Sequence, residues 1–182
     1  VSSPARRERL EEVAREVVEP VRRYLARRTD PATADDVLAD TLLVCWRRID
    51  EVPDDPLPWA YGVARRCLAN AERASRRQRR VARKVAAVDP PAAAVPGPDD
   101  EPAGAAGEGV RRALAALPPA DAELLRLWAW EGLAASEIAV VLDTTPNAVG
   151  SRLTRARQKL RDRLRKDGVP GGHGGVTERR TR

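Results

Sequence analysis

Apolar residues recur along most of this chain at steps of three and four, the period of α-helices that pack by one face. Between Arg6 and Arg28 the stripe is Leu10, Val13, Val17, Val21, Tyr24 and Leu25. Pro20 falls inside it, which predicts two helices meeting near Glu19-Pro20 or a kink there, because proline removes a hydrogen bond and crowds the preceding turn. Asp30-Pro31-Ala32-Thr33 reads as a loop and helix cap. A second stripe follows over 34–48: Val37, Leu38, Thr41, Leu42 and Cys45, reaching on to Ile49. After EVPDDPLP, a third helix is predicted from about Pro58 toward Lys84, with Ala60, Val63, Ala64, Cys67, Leu68 and Ala71 on its apolar side.

The pattern then breaks. Residues 85–110 carry five prolines, four glycines, five acids and no basic residue, the composition of a flexible linker. Beyond it a short amphipathic helix is predicted over 111–117, and Pro118-Pro119 opens another, 120–130, with Leu124, Leu125, Leu127 and Trp128. The stretch 133–164 reads as two helices joined by a tight turn. Ile138, Ala139 and Leu142 mark the first, and Val149, Leu153, Ala156 and Leu160 the second. Asp143-Thr144-Thr145-Pro146 lies between them, with a threonine as candidate N-cap and proline at the first helical position. From 168 onward periodicity stops and a disordered tail is expected. The reading is therefore all-α: two small helical domains, 1–84 and 111–167, joined by the linker 85–110 and followed by the tail 168–182.

Composition alters this picture little. In 182 residues there is no Phe and no Met, and aromatics make up 3%, which favours small Ala/Leu/Val helical units over one large core. Charge alters it more. The net +6 is moderate, but it is unevenly placed. Residues 30–55 hold eight acids against Arg47 and Arg48; residues 61–84 hold nine bases against Glu72 alone. The acidic patch, in a basic chain, points toward a protein; Asp35 and Asp36 also suit the start of a helix, whereas Asp40 lies a turn further in. The basic helix carries Trp59 and Tyr61 beside its arginines, as a surface that stacks unpaired bases and holds their phosphates requires, although Trp59 serves equally well as core filler. The second helix of the 133–164 pair offers Asn147, Ser151, Arg152 and Arg155, donors and acceptors suited to base edges and phosphates.

Several chemistries find no support. Cys45 and Cys67 lie on apolar stripes and form no CxxC, and the one histidine, His173, stands in the Gly-rich tail, so neither a zinc site nor any other metal is expected. There is no Gly-rich phosphate loop and no catalytic constellation, hence no cofactor and no enzymatic activity is anticipated. No run approaches a membrane span, and the N-terminus is charged where a signal peptide needs an apolar stretch, so a cytoplasmic protein is expected.

In this order, the features resemble the extracytoplasmic-function (ECF) class of bacterial RNA polymerase sigma factors. The resemblance rests on 35–47 (DDVLADTLLVCWR) and 59–65 (WAYGVAR) in the first half, and on 116–119 (ALPP), 136–139 (SEIA) and 149–157 (VGSRLTRAR) in the second. It implies two helical domains, regions 2 and 4, joined by a variable linker. By that resemblance Asp35, Asp36, Asp40 and Arg47 dock on core RNA polymerase. The loop 50–57 and the helix 59–80 open the −10 element of promoter DNA and hold the non-template strand, with Trp59, Tyr61, Arg65, Arg66, Asn70, Arg73, Arg76 and Arg77. The helix 146–159 enters the major groove at the −35 element with Asn147, Ser151, Arg152, Arg155 and Arg157. An anti-sigma factor is implied as a further partner. The sequence departs from the family at Leu42 (often Phe), Arg66 (often Asn), Asp143 (usually Gly) and Gly150 (often Lys). Two other readings remain at this level: a helix-turn-helix regulator that binds an operator without joining polymerase, and, more distantly, an RNA-binding adaptor.

Overall fold

The computed structural model describes residues 4–85 and 105–166, and side chains within 4–80 and 107–166. Residues 86–104 of the expected linker and the tail 168–182, with His173, lie outside the described residues. The elements are α1 (Pro4–Ala26), α2 (Pro31–Arg47), a single 3-10 turn Ile49–Glu51, α3 (Pro56–Val85), α4 (Ala105–Ala115), α5 (Pro119–Ala129), α6 (Ala135–Leu142) and α7 (Pro146–Lys166). Among the described residues there is no strand, so the all-α expectation holds for them.

Contacts sort the chain into two compact units that are not its sequential halves: α1, α2, α3 and α6 form one, and α4, α5 and α7 the other. In the first unit, α1 runs unbroken through Pro20. The proline deletes one hydrogen bond, but Val13 and Val17 before it and Val21, Tyr24 and Leu25 after it are all buried, so packing holds both halves in one helix. Asp30 caps α2 by accepting the Thr33 N–H at 3.0 Å, and Pro31 fills the first position. Thr41, fully buried, donates to the Val37 carbonyl at 2.7 Å and so satisfies its own hydroxyl on the apolar stripe. Ala60, Val63, Ala64 and Leu68 of α3 are buried as the period predicts, while Cys67 is only half-buried.

Helix α6 lies against α3. A Cβ placed on buried Gly62 would stand 3.5 Å from the Val141 carbonyl oxygen, ordinary contact. Its inward side is Ile138, Ala139 and Val141, whereas Leu142 is half-buried and Val140 is 52% exposed. The Glu137 carboxylate accepts the Ala134 N–H at 2.5 Å, half of a capping box whose other half Ala134 has no side-chain oxygen to provide. Asp143 ends α6 in the left-handed conformation, φ 52°. Asp tolerates this where most side chains do not, so the departure from glycine leaves the turn intact.

In the second unit, α4 begins at Ala105 instead of Arg111, so 105–110, expected to belong to the linker, is helical. Two alanines open it, and Glu108 in the first turn favours the helix dipole and meets Arg111 at 2.6 Å, which together offset Gly107 and Gly109. On α5, Ala122, Leu124, Leu125 and Leu127 are buried. Helix α7 buries Val149, Leu153 and Ala156. Its Lys159 reaches Asp121 of α5 at 2.7 Å.

Candidate nucleic-acid interface

Three surfaces carry the residues singled out from the sequence. On α2, Asp35, Asp36, Asp40 and Arg47 are all exposed. Asp36, Asp40 and Arg47 share one face with Leu43, which is 44% exposed at the intervening position. An apolar side chain framed by carboxylates is suited to a protein partner, and periodicity misses it because Leu43 looks like core.

On α3, helical spacing places Trp59, Arg66, Asn70, Arg73 and Arg77 along one stripe, while Arg65 and Arg76 flank it. The five arginines and Asn70 are exposed. Arg73 donates to the Asn70 amide oxygen at 2.6 Å and Arg76 to Glu72 at 3.4 Å, so two of the arginines are already oriented by neighbours one turn away. Trp59 is half-buried, with the Arg48 guanidinium 5.8 Å from its ring centre. Trp59 and Arg66 line an open hollow with Ser136, Val140 and Thr144.

Tyr61 is a correction. It is 3% exposed, and its ring packs on Tyr24 with centroids 5.2 Å apart, so it belongs to the core of the first unit and cannot stack on a base. Its place in the sequence, two residues after Trp59, puts it on nearly the opposite side of the helix.

On α7, Asn147, Ser151 and Arg155 are exposed on one face, and Arg152 is half-buried beside it. Thr154 and Gln158, which the sequence reading passed over, continue the same face at steps of three and four. The Arg155 Nε–H donates to the Ser151 carbonyl at 3.2 Å, and the Thr154 hydroxyl donates to the Gly150 carbonyl at 3.1 Å. Arg157 stands apart from this face. Its guanidinium lies 3.7 Å above the Trp128 ring, and burial, followed by the charge of Arg161, lowers its proton affinity below the usual arginine range. It is engaged with Trp128 inside the second unit.

Burial pushes the Cys45 thiol up to about 11 and raises that of Cys67, so both stay protonated and unreactive at neutral pH. Among the described residues no three His, Cys, Asp or Glu gather to hold a metal ion, and no helix is long and apolar enough to cross a membrane.

The chain thus combines an exposed acidic face on α2, an arginine-lined helix α3 and a turn-linked basic helix α7. Comparison makes the class specific. Residues 108–160 match the family model for sigma-70, region 4. The chain is 32% identical over 145 residues to "Probable RNA polymerase sigma factor RfaY" of Xanthomonas campestris pv. campestris, covering 77% of this chain and 36% of that protein. It is 32% identical over 134 residues to the RNA polymerase sigma factor NccH of Alcaligenes xylosoxydans xylosoxydans, covering 69% of this chain and 70% of that one. The fold is shared with the sigma factor RpoE of Bartonella quintana, solved in complex with the anti-sigma factor NepR: TM-score 0.54, 22% identity, 82% of this chain and 93% of that one. The chain belongs to the RNA polymerase sigma factors. It spans about a third of RfaY and over two thirds of NccH.

Proposed function

We propose that this protein binds core RNA polymerase in the cytoplasm and directs it to a specific set of promoters, contributing binding and strand opening but no chemistry of its own. Residues 1–84 act as region 2 and 111–167 as region 4, with the connecting segment between them. Asp35, Asp36 and Asp40, with Leu43 and Arg47, form the polymerase-docking face. Trp59, Arg66, Asn70, Arg73 and Arg77, flanked by Arg65 and Arg76, hold the non-template strand of the −10 element. Asn147, Ser151, Arg152 and Arg155 read the −35 element, and Thr154 and Gln158 join them. Tyr61 and Arg157 leave the set of DNA contacts for structural positions. An anti-sigma factor is a further partner, a proposal supported by the complex in which the Bartonella fold relative was solved.

The observation that carries this reading is the separation of charge inside one unit. Exposed carboxylates on α2 and exposed arginines on α3 give one small body a face for a protein and a face for phosphates. An operator-binding regulator has no use for the first of these.

The test is run-off transcription by purified core polymerase on genomic DNA, with the transcripts' 5′ ends sequenced. Added protein should produce a discrete set of start sites. A variant carrying Asp36→Lys and Asp40→Lys should lose co-purification with core enzyme and lose those transcripts. Absence of promoter-specific transcripts with the unaltered protein, or tight binding to isolated operators without polymerase, overturns the proposal.

A further inference from the structure

The buried stripe of α1 does not stop where its apolar residues stop. Stepping back from Val13 by four and by seven reaches Arg9 and Arg6, so these arginines continue the inward face of α1 beyond the hydrophobic core. What they meet is the end of α2 and the segment that joins it to α3. Arg6 Nη1 pairs with Asp50 at 3.5 Å, its Nη2 donates to the Trp46 carbonyl at 3.5 Å, and its guanidinium lies 5.5 Å from the Trp46 ring centre. Its Nε is closed off from solvent without a partner, which marks a guanidinium held in place by its surroundings. Arg9 Nη2 donates to the Pro53 carbonyl at 3.1 Å and lies 3.9 Å from the Asp54 carboxylate. From the other side, Arg48 binds Glu51 through Nε at 3.0 Å and through Nη2.

We propose that Arg6 and Arg9 are positioning residues for the segment 49–55: Arg9 fixes its backbone against α1, Arg6 ties it to the end of α2 through Asp50, and both offset its acids where it faces the promoter strand. The inference rests on the reading of α3 and the preceding loop as the part that opens the −10 element.

Two physical requirements converge on this pair. First, Ile49, Val52 and Pro56 anchor the segment by burial, but 53–55 between them has no regular hydrogen-bonding pattern, so its shape depends on side chains that bind its carbonyls. Arg9 binds the Pro53 carbonyl. Second, residues 50–55 carry four acids, Asp50, Glu51, Asp54 and Asp55, immediately before a helix whose arginines are there to meet phosphates. Unscreened, those carboxylates would repel the same phosphates. Arg6, Arg9 and Arg48 face three of the four, Asp50, Asp54 and Glu51, and so offset part of that charge, although Arg9 is shared with Glu12 at 3.4 Å. A merely stabilising role explains ion pairs on an exposed surface less well, because such pairs contribute little to folding and yet three of them converge on one short segment.

The experiment reconstitutes holoenzyme from core polymerase and the full-length protein, then transcribes a pool of duplex templates with a randomised segment upstream of a fixed cassette. Sequencing the transcribed molecules gives the base preference at each promoter position. Affinity for core enzyme and thermal unfolding are measured alongside. Arg9→Ala and the double variant Arg6→Ala/Arg9→Ala should reduce preference at the downstream element roughly ten-fold, the scale of a misplaced contact. Preference at the upstream element and affinity for core should be unchanged. Arg9→Lys, which keeps a donor for the Pro53 carbonyl, should restore most of the loss.

Unchanged downstream preference in the double variant overturns the proposal. So does equal weakening of both elements together with a lower melting temperature, the signature of general destabilisation. If the unaltered protein enriches no promoter at all, the sigma-factor reading itself fails and takes this inference with it. That result is distinct from one in which the unaltered protein selects promoters and the variants match it.

Discussion

Replacing Arg157 by alanine separates a residue that holds the second unit together from one that reads DNA. The resemblance placed Arg157 with Arg155 among the −35 contacts, but its guanidinium sits 3.7 Å over the Trp128 ring, in contact distance, and both side chains are half-buried. Cation–π pairs range from ~0.5–1 kcal/mol when exposed to ~2 when desolvated, so this partly desolvated one is worth about 1–1.5 kcal/mol. Loss of the packed methylene stem adds to it, for a total cost of about 1.5–2 kcal/mol. In a chain of this length each kcal/mol moves the melting temperature by roughly 2–4 °C, so Arg157→Ala should melt about 3–8 °C lower. Circular dichroism at 222 nm measures the shift, and a cycle with Trp128→Leu should return a coupling energy of about 1 kcal/mol. Arg155→Ala is the control. Its side chain is exposed, so stability should change by less than ~0.5 kcal/mol. Promoter use should fall in a sequence-dependent way, by ~1–3 kcal/mol if the contact is bidentate to guanine. If Arg157→Ala melts like the unaltered protein and loses promoter use as Arg155→Ala does, the stack on Trp128 is not what Arg157 is for.

Two further outcomes follow from the same geometry. Gly150 lies inside α7 with nothing within 4 Å of where a Cβ would stand, so Gly150→Ala should raise stability by up to ~1 kcal/mol, read as a higher melting temperature; a lower one would refute the open site. Cys45 has a folded-state value of about 11 against an ordinary 9.0, raised by burial. A group raised in the folded state contributes stability that is complete below its unfolded value and lost as pH rises through the folded one. Urea unfolding should therefore weaken between pH ~9 and ~11 by on the order of 2–3 kcal/mol, and Cys45→Ala should flatten that slope; rapid alkylation of Cys45 in the native protein at neutral pH would contradict it.

Much of the core was legible in advance because it depends on period alone. Val13, Val17, Val21, Tyr24 and Leu25, Val37, Leu38, Thr41 and Cys45, and Val149, Leu153 and Ala156 are buried where the steps of three and four put them. The misses have physical reasons. Of the two outcomes Pro20 allowed, separate helices are not seen, because its cost is local, whereas the packing on either side of it is shared by the whole helix. Val141 and Leu142 exchanged places because, in an eight-residue helix, the inward direction is set by the neighbour it meets. Tyr61 was misassigned because a preference for aromatic residues among bases says nothing about which side of the helix carries them.

The arginines show most clearly what a sequence cannot separate. Among the described residues, five lie over aromatic rings: Arg6 on Trp46, Arg28 on Tyr24, Arg48 on Trp59, Arg126 on Trp130 and Arg157 on Trp128. That is about twice the usual density of one per ~70–80 residues, in a chain whose six aromatics include no Phe. With few rings and no methionine to fill irregular gaps, the protein uses the flat faces of its guanidinium groups as packing surface, and the remaining ring, Tyr61, packs on Tyr24. An arginine spent in this way contributes to the net charge of +6 but not to the field that meets DNA at contact range. What distinguishes the two uses is an aromatic side chain brought in from elsewhere in the fold or from the next turn, which spacing along one helix cannot reveal. The strand-holding surface is thus narrower than the run of nine bases in α3 suggests. On the proposed reading it consists of Trp59 and the exposed stripe Arg66, Asn70, Arg73 and Arg77 with its flanks, preceded by a loop in which arginines face Asp50, Glu51 and Asp54.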